Sequence, residues 1–324
     1  MPRNVPLKLV AIGGGTGLST LLAGLRPRLN APEPQLELTA IVTVTDDGKS
    51  SGRLREEFSV LPPGDIRNCL VALAPPDNPL TSLFAHRFPG QGALGGHSLG
   101  NLLLLALLQK SGNFVTAIDQ ARALLGIRAR VLPSTLDQVD LVARVGRQKI
   151  RGQVAIKSQN SPIQELTLEP ANAAALPAAV EAILAADLIT LGPGSLFTSV
   201  IANLLVPGLT DALSRTKAKK LYICNVMTEL DETEDLSGED HVRELLAYAP
   251  DLRLDYALFN STPISAEMRQ RYAAEKAEPL SPPTVTPSDL VPLQFIALPL
   301  ASEERAVRHD PERLSQAIFD VYAR

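Results

Sequence analysis

Residues 7–20, "LKLVAIGGGTGLST", constrain the fold more than any other stretch. A short apolar, β-branched run breaks into glycines and then into the helical pattern of "LSTLLAGLRPRL". A second strand-like run, "LELTAIVTV" (36–44), follows. Strand, glycine turn, helix and strand make a βαβ unit, which requires a parallel sheet with helices over its faces. The glycines exceed what a tight turn alone needs. Backbone N–H groups at a helix start can receive a phosphate, so Gly14, Gly15, Thr16 and Gly17 are expected ligand contacts. The dinucleotide fingerprint G-x-G-x-x-G is incomplete: read from Gly13 it ends on Leu18, and read from Gly15 it ends on Thr20.

The βαβ rhythm resumes after an interruption. Helices are expected over 98–112, 113–126, 171–186, 195–205, 238–248 and 310–323, and strands over 187–194, 219–226 and 254–260. Between them "QVDLVARV", "KIRGQVAI" and "IQELTLEP" (138–170) read as successive antiparallel strands. The chain therefore reads as a single α/β domain over 1–324, a modified Rossmann-like fold with a small β-rich insert at 128–170. Asp65 reads as the N-cap of the helix "IRNCLVALA". Residues 277–293 are proline-rich and read as a loop with extended pieces.

Composition closes off several classes. With 324 residues, 45% of them hydrophobic, the chain can bury a large core. A net charge of −4 with dispersed basic residues leaves no footprint for nucleic acid. Cys69 and Cys224 stand far apart without ligand-spaced neighbours, which fits a reducing, cytoplasmic setting. The most apolar run, 102–108, is too short for membrane insertion.

"IVTVTDDGKSSGRLR" (41–55) carries Gly48-Lys49-Ser50, the end of a P-loop. The P-loop reading fails, because the upstream glycine is replaced by Thr43 and two aspartates would face the phosphates. Asp46 and Asp47 could instead accept ribose or base hydrogens, hold Mg²⁺ with most of its waters, or cap the following segment. Ser50 and Ser51 add donors, and Arg53 and Arg55 add positive charge.

Other candidates lie on further turns. In "LPPGDIRN", Arg67 and Asn68 stand near a helix start, where a well-made helix entry and a site role are equally good readings. In "GGHSLGN", Ser98 and Asn101 open a helix suited to an anion. "GHSLG" also matches the nucleophile elbow, yet lacks the strand that elbow needs, and His97 has no visible acid–base partners. "GPGSLFTS" offers Gly192, Gly194 and Ser195, with Thr198 and Ser199. Asn225, Thr228 and Asn260 end two more strands. Ligands bind at that edge of a parallel sheet, so together these ends suggest a broad cleft.

The motifs "AIGGGTGLSTLL", "AIVTVTDDGKSSGRLR", "LPPGDIRNCLVALA", "GGHSLGNLLLLALL", "LGPGSLFTS", "CNVMTE" and "VRHDPERL" closely resemble the gluconeogenesis factor family (YvcK-like). That family is related to the 2-phospho-L-lactate transferases (CofD-like). The resemblance covers nearly the whole chain. It implies binding of UDP-sugars such as UDP-N-acetylglucosamine and a role in cell shape and cell-wall synthesis, with cell-wall synthesis proteins as partners. The transferase branch moves a phospholactyl group from a nucleotide-activated donor, with Mg²⁺. By position, the resemblance gives Gly14, Thr16, Gly17, Asp46, Ser50, Ser51, Asn225 and Thr228 to the site. It adds Tyr272 and Arg308 as contacts to the UDP-sugar. Lys49 replaces a glycine common in relatives, and "MTELDETEDLSGED" reads as an acidic surface loop.

Three readings follow: a regulatory nucleotide-sugar binder first, a transferase second, and a nicotinamide oxidoreductase a distant third. Whether the chain forms a homodimer is left open by the sequence.

Overall fold

The first apolar run forms β1 (Leu7–Gly13), and α1 (Gly15–Leu29) returns the chain to β2 (Leu36–Val42). β1 and β2 pair in parallel from Leu7↔Leu36 to Gly13↔Val42. The computed structural model describes residues 6–31, 36–159, 161–230, 232–274, 276–283, 286–304 and 306–324. The "RYAAEKAEP" motif and the proline-rich stretch each lie partly outside these residues, at 275 and at 284–285.

Five helices follow β2: α2 (Lys49–Phe58), α3 (Gly64–Leu73), α4 (Pro79–Ala85), α5 (Leu99–Ser111) and α6 (Phe114–Leu124). Ser98 caps α5 by accepting from the Asn101 N–H, and Gly112 ends it in the left-handed region. Asp65 is not a cap. It sits inside the first turn of α3, and Pro63 holds the cap position. Residues 49–58 are helical, so Ser50 and Ser51 ride on a first turn.

β3 (Arg130–Pro133) pairs with β2 and belongs to the main sheet. The antiparallel element starts later, with β4 (Asp140–Val145), β5 (Gln148–Arg151) and β6 (Glu165–Glu169), ordered β5-β4-β6. The expected strand "KIRGQVAI" ends at Arg151, and Gly152 (φ 95) turns it into the short helix α7 (Gln153–Ile156). Asp47 Oδ1 accepts the Val154 N–H at 2.9 Å and Arg55 meets Asp140 at 2.6 Å, tying this small sheet to α2.

The chain then runs through α8 (Pro177–Ala185), β7 (Leu188–Leu191) and a π-helical turn at Leu196–Ile201 that continues as α9 (Ala202–Leu204). Next come α10 (Pro207–Arg215), β8 (Lys219–Ile223), α11 (Gly238–Ala247), β9 (Tyr256–Asn260) and α12 (Ala266–Ala273). β10 (Gln294–Leu298), the short hairpin of β11 (Ala301–Ser302) with β12 (Arg308–His309), and α13 (Pro311–Tyr322) complete the order. Strand β10 follows the proline-rich stretch and was not expected from the sequence.

The main sheet is ordered β10-β9-β8-β7-β1-β2-β3, all neighbours parallel. Every residue of β7 and β9 is buried, as strands covered on both faces must be. One apolar core runs through both sheets and their helices. Strand order reverses between β1 and β7, so the loops leaving these neighbours diverge and open a crevice at their carboxyl ends. Among the described residues, no single helix is long and apolar enough to cross a membrane.

Candidate functional site

A cleft of about 450 Å³ occupies that crevice. Gly14–Gly17 line it after β1, Pro193–Ser195 after β7 and Asn225–Leu230 after β8, while Tyr272, Arg308 and His309 close the far side. Of the residues expected at a site, Gly14, Gly15, Thr16, Gly17, Gly194, Ser195, Asn225, Thr228, Tyr272 and Arg308 are brought together here. Asp46, Asp47, Ser50, Ser51, Arg67, Asn68, Ser98, Asn101, Gly192 and Asn260 are not among its lining.

The glycine excess has a packing explanation as well as a ligand one. Gly15 sits at φ 59, in the left-handed region that glycine favours. A Cβ on Gly14 would come within 2.7 Å of the Thr43 methyl, and one on Gly17 within 2.5 Å of the Pro193 carbonyl oxygen. The loops after β1 and β7 therefore touch backbone to backbone along the cleft floor.

The turns "GGGTG" and "GPGSLFTS" each already hold an internal carboxylate. Asp65, part-buried, accepts hydrogen bonds from the Gly15 N–H and the Asn68 side chain. Burial and the nearby Asp46 push its pKa up to about 6. The Thr16 and Gly17 N–H groups remain as first-turn donors facing the cleft, since an α-helix leaves its first N–H groups without intrahelical partners. At the π-helical turn, Glu232 accepts from the Phe197 N–H at 3.3 Å and the Thr198 hydroxyl at 2.6 Å.

Glu232 belongs to a charged trio. Lys157, from the segment after α7, places Nζ 2.9 Å from Glu232, 3.5 Å from Glu229 and 3.0 Å from Ser195 Oγ. Ser195 donates to Glu229 Oε2 at 2.6 Å, and Asn225 Nδ2 donates to Glu229 Oε1 at 2.9 Å. Burial and the facing Glu232 raise the Glu229 pKa. Burial presses the Lys157 pKa down, but the two glutamates outweigh it and hold it above its ordinary value. The stretch read as an acidic surface loop is thus partly internal, and the Glu232 side chain is fully buried. The cue in sequence was two glutamates three apart beside "CNVMT". Nothing local pointed to their partner, Lys157, on a distant segment.

Tyr272 belongs to the cleft wall. Its hydroxyl accepts the Val307 N–H at 3.1 Å, and its ring packs on the cluster of Val226, Met227, Ile264, Met268, Ala301 and Val307. Arg308 is exposed and forms no ion pair with a described residue. His309, missed in the sequence, is buried beside the Cys224 backbone, and burial lowers its pKa to about 4.

A second polar group lies between α2, α3 and α5. Ser50 Oγ lies 2.9 Å from His97 Nδ1 and accepts from Asn101 Nδ2 at 3.0 Å. Arg67 Nε donates to Asn101 Oδ1 at 3.2 Å. Burial lowers the His97 pKa. Asp46 Oδ1 accepts the Gly48 N–H at 3.0 Å, while Asp47 turns away to Val154. The two carboxylates thus have different backbone partners. Among the described residues no group of three or more His, Cys, Asp or Glu side chains is placed to hold a metal.

Two expected contacts hold the scaffold instead. The Gly192 N–H donates to Ile12, tying β7 to β1. Asn260 is committed to the Thr262, Leu300 and Ala301 backbones, fixing the loop after β9.

Residues 9–288 match the family model described as 2-phospho-L-lactate transferase CofD. The chain is 43% identical to a putative gluconeogenesis factor of Nostoc, covering 97% of this chain and 68% of that one. It is 41% identical to a putative gluconeogenesis factor of Thermotoga maritima, covering 96% and 98%. It is 38% identical to the gluconeogenesis factor of Bacillus subtilis, covering 97% and 98%. A crystal structure of a Bacillus halodurans protein superposes with a TM-score of 0.89 at 38% identity, covering 97% of this chain and 100% of that one.

Proposed function

The chain belongs to the CofD family and, within it, to the gluconeogenesis factors, and from that premise we propose that it is a cytoplasmic nucleotide-sugar-binding protein. Its ligand is a UDP-sugar such as UDP-N-acetylglucosamine. Its role is to support cell shape and cell-wall synthesis during gluconeogenic growth, through contact with wall-synthesis proteins.

The observation that carries this reading is the meeting of Arg308 with the first turn of α1 across one cleft. A guanidinium forks onto diphosphate oxygens, and first-turn N–H groups donate to them too. The Tyr272 ring supplies an apolar wall on which a base or sugar can lie. A cleft of about 450 Å³ is large enough for a ligand of that class.

The test is calorimetric titration of the chain with UDP-N-acetylglucosamine, GDP and NAD, each with and without Mg²⁺. UDP-sugar binding without turnover is expected, and no binding at millimolar concentration overturns the proposal. The family match favours a second reading, a transferase with a nucleotide-activated donor. That reading gains ground if binding needs Mg²⁺ and a product forms.

A further inference from the structure

We infer that Glu229, fixed by Lys157, makes its end of the cleft selective for a neutral hydroxylated group and unfavourable to a further phosphate. This inference rests on the nucleotide reading above and names what must follow the diphosphate.

The argument begins with acceptor capacity. An ionised carboxylate offers about four acceptor positions and no donor. Glu229 uses one on Ser195, one on Asn225 and one on Lys157. One position is left on a side chain that lines the cleft and is partly exposed to it. Only a donor can fill it, and a sugar or ribose hydroxyl is a donor.

Charge points the same way. One ammonium and two carboxylates leave the trio of Lys157, Glu229 and Glu232 net negative. The described hydrogen bonds hold Glu229 from both sides, so its carboxylate cannot swing away from an incoming anion without breaking them. The loop that carries Glu229 follows β8, two strands from β1 in the sheet. Neighbouring strands lie roughly 4.8 Å apart, so this loop sits about 10 Å from the glycine turn. That distance suits the group beyond a diphosphate seated at α1.

Lys157 is the positioning residue. It meets the cleft lining through Ser195 and Glu229, and it sets the charge and orientation of both. It reaches them from the segment that follows α7, so the small antiparallel region contributes to the cleft indirectly.

The experiment compares UDP-N-acetylglucosamine, UDP and UTP by calorimetry on the full chain. The wild type is expected to bind the UDP-sugar at least about tenfold more tightly than UTP, since like charges across an interface are strongly penalised. Glu229→Gln is expected to narrow that ratio by tightening UTP. Lys157→Met is expected to weaken UDP-sugar binding, and Lys157→Arg to restore it. Equal wild-type affinity for UDP-sugar and UTP overturns the inference without touching the nucleotide reading, and needs no variant to fold. An unchanged ratio in a Glu229→Gln protein with a wild-type melting curve also overturns it. Failure of all three ligands to bind the wild type overturns both.

Discussion

The carboxylate of Asp65 accepts a hydrogen bond from the Gly15 N–H, inside the turn whose glycines mark an anion site. The turn is thus partly satisfied by the protein itself. A phosphate on the cleft side therefore has the Thr16 and Gly17 N–H groups as its donors, while that of Gly15 is already committed.

That contact makes stability depend on pH. The folded pKa of Asp65 is raised from 3.8 to about 6. The folded state therefore binds this proton more tightly than the unfolded chain does. Its contribution favours folding as pH falls from about 6 towards 3.8 and is lost as pH rises through about 6. Asp65→Asn, which removes the buried charge, is expected to raise stability at pH 7.5 by about 1–3 kcal/mol and to flatten that slope. Urea midpoints across pH 4 to 8 measure both. A variant no more stable than wild type at pH 7.5, with the same slope, refutes the prediction.

Arg308 should carry ligand affinity rather than stability. It is exposed and forms no ion pair with a described residue. Arg308→Ala should weaken UDP-sugar binding by about 1.5–3 kcal/mol while leaving the melting curve unchanged. Arg308→Lys should recover only part, because an ammonium lacks the planar fork. Unchanged affinity in the alanine variant removes Arg308 from the site.

Glu232 should matter to folding. Replacing it with Ala deprives Lys157 of its shorter ion pair and leaves the Phe197 N–H and Thr198 hydroxyl without their acceptor. Lys157 is partly exposed, which reduces the loss, so the expected cost is about 2–3 kcal/mol in chemical denaturation. Lys157→Met combined with Glu232→Leu should recover some of it, since the Lys157 ammonium is then no longer left without its nearer carboxylate. A single variant within about 0.5 kcal/mol of wild type contradicts this account.

Gly17→Ala tests the cleft floor. The added methyl meets the Pro193 carbonyl oxygen at 2.5 Å and Gly194 Cα at 2.7 Å, both backbone atoms that cannot rotate aside. A cost of about 1–3 kcal/mol is expected by thermal or urea unfolding, with weaker ligand binding as the loops part. Full retention of both stability and affinity shows that the loops shift without penalty.

At Lys49 the prediction has the opposite sign. This exposed residue sits at φ 44, where side chains are crowded and glycine is not. Lys49→Gly should be neutral or stabilising by up to about 1 kcal/mol. Clear destabilisation would mean that the lysine side chain supports the turn.

The sequence reads well where chemistry and periodicity are local. β1, its glycine turn and α1 follow from adjacent residues, and so do the cap at Ser98 and the strands at 188–191 and 256–260. The helix at 49–58 hides because Ser50, Ser51 and Gly52 are poor helix formers, and packing decides their conformation. β10 hides behind prolines. Within the site, Gly14–Gly17, Asn225, Tyr272 and Arg308 could be named from motifs, but their meeting depends on strand order. The hidden part is long-range pairing: Asp65 with Gly15, and Lys157 with Glu232. A buried acid looks like a cap, and an internal ion pair looks like a surface charge, until the partner is placed beside it. The Asp46–Asp47 pair shows the converse. Neighbours in sequence, they turn their carboxylates to different elements.

The reversal of strand order between β1 and β7 also has a kinetic consequence. Leu9 pairs with Leu188, so the seam under the cleft joins segments separated by more than half the chain. Closing so long a loop is entropically costly, and such pairings are slow to form. A ligand lying across the seam adds its binding energy to contacts made late in folding. It should therefore act as a brake on unfolding, lengthening the life of the native state without hastening its formation.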